Sequence, residues 1–311
     1  MNFQQSIPMT GNKSIDVLFV GEILVDIISD ADTSTVKKYY GGSPANIALN
    51  MKRLGSQVKL YSAVGNDLDG EFLEQQLKSL EIPYHLDHVI GSTSTVEINK
   101  SNTTPIPTFH RDADYKIELS NELINDIDHS KILHFSYWPI SMDSSRQVIY
   151  QLIKESKKNK TVIGFDPNYH NLIDNLERKG LQSLKEILSY VDIIKPSLDD
   201  SIRIFGEGFT IHEYLDKFQE LGCQLIIMTL GNQGLIAKYK DSVISFPSKA
   251  TEVIDTTGAG DAFWSGLYAG ITDSLSLETS IQLGLLCSAY NLRVVGADAF
   301  LPPLEVLKKE L

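Results

Sequence analysis

The stretch Asp255–Asp261 (Asp-Thr-Thr-Gly-Ala-Gly-Asp) combines residue types that could carry out phosphoryl transfer. Its glycines, Gly258 and Gly260, allow successive backbone N–H groups to point into one concavity, where a helix dipole favours an anion. A phosphoryl group in transfer spreads negative charge over its oxygens, so such a turn would stabilise the transition state. Asp261 opens the following predicted helix, where its carboxylate would accept the proton of an attacking hydroxyl.

A structural interpretation of the same stretch is that Asp261 caps the helix and that the two glycines only form the turn. The stretch is not a P-loop, because the chain contains no Gly-x-x-x-x-Gly-Lys-Ser/Thr. It is not a dinucleotide fingerprint either, because Phe263 occupies the position of the third glycine. These observations disfavour P-loop ATPases and simple Rossmann dehydrogenases.

Apolar runs and amphipathic segments alternate along the chain around this motif. The predicted strands are Ile15–Ile28, Val58–Val64, Ile132–Phe135, Thr161–Phe165, Asp192–Lys195, Gln224–Thr229 and Leu235–Tyr239, with a strand-like run at Glu252–Asp255. The predicted helices are Ala45–Leu54, Gly70–Leu80, Ser145–Asn159, Leu181–Tyr190, Tyr214–Leu221, Asp261–Ile271, Leu277–Val295 and Leu304–Lys309. This alternation predicts a doubly wound α/β domain with a mostly parallel sheet over residues 15–311, after a loose N-terminal tail of residues 1–14.

Two segments depart from the alternation. Ala31–Tyr40 is polar and extended in character, and Thr93–His110 is rich in threonine and β-branched residues and carries Pro105 and Pro107. Edge strands outside a main sheet have this composition. We expect the two segments to form a small β lid. We also expect lid strands of two chains to pair in a homodimer, because a second copy can satisfy unpaired strand edges.

The composition is that of an ordinary globular protein. The 311 residues are 42% hydrophobic and 22% charged, with a formal net charge of -12. An acidic chain is a poor general binder of nucleic acid or anionic membrane, and no apolar run approaches the length of a membrane span. Cys223 and Cys287 lie in apolar surroundings, which predicts buried, reduced thiols. Because Met1–Ser14 carries no signal-peptide pattern, we expect a cytoplasmic protein without nucleic-acid or membrane partners.

Three further stretches join the glycine-rich one in the order that a known enzyme family has them. Gly41–Ala48 (Gly-Gly-Ser-Pro-Ala-Asn-Ile-Ala) resembles the N-terminal signature of the ribokinase-like (PfkB-type) carbohydrate kinases, and Asp255–Asp261 resembles their C-terminal signature. Val64–Gly70 resembles a third element and Thr229–Gly234 resembles their nucleotide loop. The four elements extend over nearly the whole chain. The resemblance, which is to the fructokinase-like branch, implies transfer of the γ-phosphate of ATP to a sugar hydroxyl, with Mg²⁺.

The resemblance also implies a role for each matching residue. Asp261 would be the catalytic base, with Gly258, Ala259 and Gly260 as an anion hole. The sugar would bind to Asp26, Gly41, Gly42, Asn46, Arg111 and Asp261. ATP would bind near Lys195, Ser197, Thr229, Gly231, Gly234, Thr257, Gly258 and Gly260. Structural alternatives are a helix-start cap for Asn46, a plain turn for Gly41 and Gly42, and a surface position for Arg111.

The chain departs from the family pattern in the segment that would bind Mg²⁺ and the phosphates. The family commonly has Asn-x-x-Glu after a Lys-Pro, whereas this chain has Lys195–Asp200 (Lys-Pro-Ser-Leu-Asp-Asp). Ser197 and Asp200 keep an oxygen acceptor and a carboxylate, so Asp200 is our candidate for an indirect Mg²⁺ contact. The match over Asn291–Ala297 is loose and leaves open a monovalent-cation (K⁺) site that uses Asp255 and Thr257.

The acceptor sugar is less well defined by the sequence. Gly41–Asn46 resembles fructokinases more than ribokinases proper, so fructose is our first substrate prediction. His170 replaces an arginine common in related kinases, and a side chain that is mostly neutral near neutral pH favours a neutral sugar. A 2-keto-3-deoxygluconate kinase, with Arg111 binding the acid, and a nucleoside kinase stay open. Outside the enzymes, the rival is a catalytically impaired sugar-binding regulator, which the intact Asp261 opposes.

Overall fold

The computed structural model describes residues 2–9, 11–30, 35–100, 107–169, 180–297 and 299–311. Within these residues nine strands form the main sheet, in the order β13-β12-β11-β10-β9-β8-β1-β4-β5. Its strands are β1 Ile15–Val20, β4 Val58–Gly65, β5 Tyr84–Val89, β8 Ser130–Ser136, β9 Val162–Asp166, β10 Ile193–Ile194, β11 Leu225–Thr229, β12 Leu235–Tyr239 and β13 Ser242–Phe246. Strand pairs from β5 to β11 are parallel, and β12 and β13 add an antiparallel edge. The predicted doubly wound, mostly parallel α/β fold is confirmed.

A second sheet of four strands, which we call the lid sheet, lies outside the main sheet in the order β3-β2-β6-β7. Its strands are β2 Leu24–Asp30, β3 Thr35–Gly41, β6 Thr95–Lys100 and β7 Thr108–His110. Both predicted lid segments contribute to it, although their residues 31–34 and 101–106 lie outside the described part. The prediction of one strand over Ile15–Ile28 is wrong, because the chain leaves the main sheet after Val20 and enters the lid sheet at Leu24.

The helices connect the strands of the main sheet. In the described residues they are α1 Ser43–Arg53, α2 Leu68–Ser79, α3 Asn121–Asp128, α4 Asp143–Lys158, α5 Gly180–Leu188, α6 Leu198–Phe205, α7 Ile211–Glu220, α8 Ala259–Thr272, α9 Leu277–Asn291 and α10 Leu304–Leu307. Local chemistry explains several starts: Asp67 accepts a hydrogen bond from the backbone of Gly70 at α2, and Thr210 with Glu213 forms a capping box at α7. None of these helices has the length and apolar character that crossing a membrane requires.

Two hydrophobic clusters lie on opposite faces of the main sheet. Strand β1 is fully buried from Val17 to Val20, and its side chains divide by parity: Leu18 and Val20 belong to one cluster, Val17 and Phe19 to the other. Helices cover both faces, so a ligand can reach the main sheet only at the ends of its strands. Cys223 and Cys287 are buried and free, as predicted.

Three local predictions differ from the structure, and one strand was not predicted. The first residues are not a loose tail: Phe3 is buried in a core cluster and its ring contacts that of Tyr239, because residues before β1 cover the end of the main sheet. Glu252–Asp255 is not a strand, and Val253 is largely exposed there. The last long helix ends at Asn291 instead of Val295. Strand β5 was missed because its histidines resemble a solvated loop, although the strand is the parallel edge of the main sheet.

Candidate active site

The glycine-rich turn forms the start of α8, as the sequence predicts. Gly258 is the residue before the helix and has a left-handed backbone (φ 76°), and a Cβ there would lie 2.5 Å from the Cβ of Ala297. Only glycine fits these two conditions. Asp255 stabilises the turn, because one carboxylate oxygen accepts hydrogen bonds from the backbone N and the Oγ1 of Thr257 at 3.0 and 2.9 Å. Its other oxygen accepts from the backbone of Gly296 at 2.9 Å.

Asp261 is bound by the first turn of a second helix, α1. Its Oδ1 accepts a hydrogen bond from Ser43 Oγ at 2.6 Å, and its Oδ2 accepts one from Asn46 Nδ2 at 2.9 Å. Burial raises the pKa of Asp261 to about 6, against the effect of these two hydrogen bonds, which favour the charged form. Neither Asp261 nor Asn46 caps its helix, so the helix-capping interpretation is wrong for both. Gly258 is the cap residue of α8 and Gly42 that of α1, and neither helix start has a side-chain cap.

Asp26 adds a second carboxylate from lid strand β2. A Cβ on Gly41 would lie 2.3 Å from Asp26 Oδ2, so the bare backbone of Gly41 allows this carboxylate into the site. Gly42 has φ 103°, and a Cβ there would lie 2.4 Å from the carbonyl oxygen of Glu22. Burial, and after it the charge on Asp261, raises the pKa of Asp26 to about 6. The two carboxylates are therefore close enough to interact, and with Asn46 they form a polar surface suited to sugar hydroxyls.

A buried ion pair lies under the turn Gly258–Gly260. Lys195 Nζ is 3.2 Å from Asp166 Oδ2, and Trp264 Nε1 donates a hydrogen bond to the same oxygen at 2.8 Å. A Cβ on Gly260 would lie 3.3 Å from the Lys195 ammonium. Lys195 was predicted to lie near ATP; Asp166 and Trp264 were not predicted as site residues, because a carboxylate at a strand end and an aromatic residue in a helix carry no local signal of their partners.

The nucleotide-loop residues line a cavity of 590 Å³ beside the same turn. Ligand-binding cavities have this size. Thr229, Gly231, Gly234 and Gly260 were predicted to bind ATP and are part of its lining. The apolar side of the cavity was not predicted, because apolar residues at helical spacing resemble core residues. It is formed by Phe263, Leu285, Ala289 and Leu292, with Pro247 and Val253 from the loops.

Asp200, the predicted indirect contact to Mg²⁺, forms hydrogen bonds with the protein itself. Its Oδ2 accepts hydrogen bonds from the backbone N and Oγ of Ser197 at 2.9 and 2.6 Å, and its own backbone N donates to Ser197 Oγ at 2.9 Å, which completes a capping box at α6. Its Oδ1 accepts one from the backbone of Tyr169 at 2.9 Å. In the described residues, no group of three or more histidine, cysteine or acidic side chains could hold a metal ion.

Arg111 is neither a surface residue nor directed into the sugar site. Its side chain is 3% exposed, and Nε and Nη2 donate to Asp114 at 3.0 and 2.6 Å. Nη1 donates to Ser141 Oγ at 2.6 Å, and the guanidinium lies 4.4 Å from the ring centroid of Trp138. Binding an acidic sugar would require these contacts to open. His170, the other residue used to judge the substrate, lies outside the described residues.

Comparison with known proteins agrees with this geometry. The family model described as pfkB family carbohydrate kinase matches residues 13–303. An ATP-dependent 6-phosphofructokinase of Thermoanaerobacterium thermosaccharolyticum is 48% identical over 99% of this chain and 97% of that protein. A fructokinase structure from Halothermothrix orenii matches with TM-score 0.76 and 33% identity over 87% of this chain and 97% of its own. A Pyrococcus horikoshii sugar kinase in complex with ATP matches with TM-score 0.79 and 27% identity over 94% and 97%. The chain belongs to the pfkB family of carbohydrate kinases.

Proposed function

We propose that this sugar kinase transfers the γ-phosphoryl group of ATP to a fructose unit and that Asp261 is the general base. The observation that supports this most is the position of Asp261. It follows the Gly258–Gly260 turn directly and is bound by Ser43 and Asn46 from α1. Proton acceptor, anion-binding backbone and polar sugar surface are thereby in mutual contact.

The chemistry follows from these positions. The acceptor hydroxyl donates its proton to Asp261 as its oxygen forms a bond to the γ-phosphorus and the bond from that phosphorus to ADP breaks. The N–H groups of Gly258 and Gly260 face the charge that develops on the phosphoryl oxygens, whereas the N–H of Ala259 donates to the carbonyl oxygen of Thr256 at 3.3 Å within the turn. Asp26 accepts hydrogen bonds from other sugar hydroxyls, which fixes the reacting hydroxyl near Asp261.

Two cations accompany the proposal. Mg²⁺ usually retains waters and binds through substrate phosphates, and this suits a site where the Asp200 oxygens already accept protein hydrogen bonds. We therefore place Mg²⁺ on the nucleotide, with Asp200 acting through its neighbours. For K⁺ we keep the turn Asp255–Thr257 as the candidate, although both Asp255 carboxylate oxygens already accept hydrogen bonds from Thr257 and Gly296, so a cation would share these oxygens with the protein donors.

Fructose 6-phosphate is the acceptor that we favour. The relative that carries the name 6-phosphofructokinase is 48% identical, against 33% for the fructokinase structure. The lid sheet offers a cation for a distal phosphate: in the β2–β3 register Asp26 faces Tyr39 and Ile28 faces Lys37. Side chains two residues apart share a face of a sheet, so exposed Lys37 lies on the Asp26 side. With the C6 oxygen esterified, the remaining primary hydroxyl of this sugar is on C1.

Free fructose is the second candidate. The fructokinase structure supports it, as does the pair Asp26 and Asp261, since two carboxylates suit hydroxyl groups and repel a carboxylate placed beside them, whereas the phosphate of fructose 6-phosphate would lie at Lys37. This electrostatic argument also counts against 2-keto-3-deoxygluconate.

Sugar-dependent release of ADP tests the proposal. We expect kcat/KM to be highest for fructose 6-phosphate, lower for fructose and negligible for 2-keto-3-deoxygluconate and cytidine. Preference for fructose would make the second candidate correct. Preference for the sugar acid would contradict the argument from Asp26 and Asp261. Sugar binding without ADP release would identify the impaired regulator.

A further inference from the structure

A second cavity, which we call the basal cavity, lies at the end of the main sheet opposite the candidate active site. Its volume is 340 Å³, within the range of small-ligand sites. Three parallel strands begin at it, because the first residues of β9, β10 and β11 line it: Val162, Ile193 and Leu225. The last residue of β9 is Asp166, under the glycine-rich turn. A strand rises ~3.3 Å per residue, so about 13 Å of sheet separates the basal cavity from the candidate active site.

The floor of the basal cavity is apolar. Ile193 and Leu225 are buried, and Tyr239 adds a partly buried aromatic ring. The segment before β1 forms one wall through Ile7 and Pro8. A ligand with a flat apolar body would therefore lose its contact with water on two sides, and burial of apolar surface is the main favourable contribution to binding of this kind.

The rim of the basal cavity is cationic. Lys157, in the last turn of α4, and Lys160, just after this helix, both line it, and Asp192 is the carboxylate of the lining in the described residues. Two lysines against one aspartate leave one net positive charge, in a chain whose net charge is -12. Asp192 is held by the sheet, because its oxygens accept hydrogen bonds from the backbone of Ile163 at 2.8 Å and from Gln224 Nε2 at 3.1 Å. Lys157 Nζ adds longer contacts to it, at 3.2 and 3.3 Å.

Lysines at the end of a helix also have a structural explanation. The C-terminus of a helix attracts cations, and Lys157 and Lys158 both lie in the last turn of α4. This explanation covers Lys158, which forms an ion pair with Glu155 at 2.7 Å and does not line the cavity. It leaves unexplained why Lys157 and Lys160 border an apolar cavity.

We propose that the basal cavity binds a small organic anion, whose apolar body lies on Ile193 and Leu225 and whose anionic group is bound by Lys157 and Lys160. The site does not depend on the proposed function. An ammonium has three donors, so Lys157 can bind a ligand and keep its contact with Asp192. Apolar burial and charge-assisted hydrogen bonds then act on the same molecule. An inorganic anion or a neutral hydrocarbon would gain one of these contributions and not the other.

Naphthalene-1-sulfonate is a suitable probe, because it combines flat apolar rings with one permanent negative charge. Ligand-observed NMR measures its affinity while saturating Mg·ADP fills the nucleotide cavity. We expect one site per chain, and about tenfold weaker binding of naphthalene-1-methanol, which has the rings without the charge. Sulfate, which has the charge without the rings, should not displace the probe at equal concentration. Absence of probe binding, equal binding of the alcohol, or displacement by sulfate would each overturn the proposal.

Variants of neighbouring lysines test where the probe binds. Lys157→Ala and Lys160→Ala should each weaken binding of naphthalene-1-sulfonate about tenfold, with thermal midpoints close to that of the wild type because both side chains are exposed. Lys158→Ala is the matched control, since it removes the same charge from the same helix end without changing the lining. Unchanged affinity in either lining variant, or equal weakening in Lys158→Ala, would contradict the proposed site.

Chemical protection locates the probe in the unaltered protein. Sulfosuccinimidyl acetate acetylates exposed lysines, and mass spectrometry gives the rate at each one. Naphthalene-1-sulfonate should slow acetylation of Lys157 and Lys160 several-fold and leave Lys158 unchanged. Protection that omits either lining lysine, or that extends to Lys158, would overturn the proposal. Because neither binding nor protection requires turnover, failure of every sugar to release ADP would contradict the proposed function and leave this site intact.

Discussion

At the residue scale, the environment of Asp261 explains why this carboxylate, among 40 acidic residues, is suited to act as a base. Burial raises its pKa to about 6. A general base works best when its pKa lies near the working pH, and this value is closer to neutral pH than the pKa of an exposed aspartate. Ser43 and Asn46 nevertheless favour the ionised form by donating hydrogen bonds to it. The two effects together give a carboxylate that is ionised at neutral pH and held in one orientation.

Asp261→Asn should abolish most turnover without weakening the fold. General bases contribute about 10²–10⁴-fold, so we expect kcat to fall by that factor while affinity for ATP changes little. The thermal midpoint should stay constant or rise near neutral pH, because the variant no longer has to keep a charge in a buried position. Asp273→Asn, at the other end of α8, is the control and should retain full activity. Near-normal turnover of Asp261→Asn would overturn the mechanism.

The pH dependence of kcat/KM should have an acid limb near pH 6, since the base must be ionised and its pKa is raised to about 6. Activity is then lost as pH falls through this value. Ser43→Ala removes a hydrogen bond to the charged form, so the pKa of Asp261 should rise and the limb should move to higher pH. A limb that remains in place in Ser43→Ala would show that another group controls it.

At the element scale, the lid sheet contributes residues to the candidate site. Strand β2 carries Asp26 into the site from outside the main sheet, and β3 ends at the glycines that precede α1. Neighbouring side chains of β3 alternate between the cleft-facing side and the opposite side. One lysine of the pair Lys37–Lys38 therefore lies on the Asp26 side, and the other forms an ion pair with Asp69 of α2.

Lys37→Ala should discriminate between the two acceptors. We expect KM for fructose 6-phosphate to rise roughly tenfold, the loss typical of a hydrogen bond to a charged group at a solvated site, with KM for fructose unchanged. Lys38→Ala is the matched control, because it removes the same charge from the opposite face. Equal effects of the two variants, or a parallel change for both sugars, would remove Lys37 from the acceptor site.

Binding of the acceptor should slow hydrogen exchange in the lid sheet. A lid that closes over the sugar excludes water and suppresses hydrolysis of ATP. The amides of β3 and β6 should therefore exchange more slowly with a saturating acceptor, whereas those of β5, at the far edge of the main sheet, should not change. Unaltered exchange in β3 and β6 would contradict lid closure.

At the scale of the whole molecule, the lid sheet has an open edge at β3. Val36 is 66% exposed and Tyr39 46% exposed on this edge strand, which has a hydrogen-bonded neighbour on one side, β2, in the described chain. Exposed apolar side chains on an unprotected edge are suited to pairing with a second copy. The homodimer through the lid therefore stays our proposal.

Sedimentation velocity tests the dimer directly. We expect a dimer for the wild type and a monomer for Val36→Lys, because a charge on the edge opposes strand pairing. Val306→Lys, which changes an exposed valine of α10 instead, should leave the dimer intact. A wild-type monomer at micromolar concentration would exclude the lid dimer.

The sequence by itself determined the features that local chemistry controls. Glycine at 258 permits the left-handed turn, the buried run Val17–Val20 requires a strand covered on both faces, and Leu235–Tyr239 has the predicted bounds. The four motifs were sufficient to identify the family. These features are readable because turn conformation and strand periodicity depend on residues close together in the chain.

Tertiary structure alone decided which distant residues meet. The bond from Ser43 to Asp261 spans 218 positions, and the bond from Trp264 to Asp166 spans 98. No local pattern indicates that Asp200 would also accept a hydrogen bond from the backbone of Tyr169, or that Arg111 would be buried with Asp114. These outcomes depend on strand order and on the approach of two helix starts, because a polar side chain takes its role from the groups that packing brings within hydrogen-bond distance.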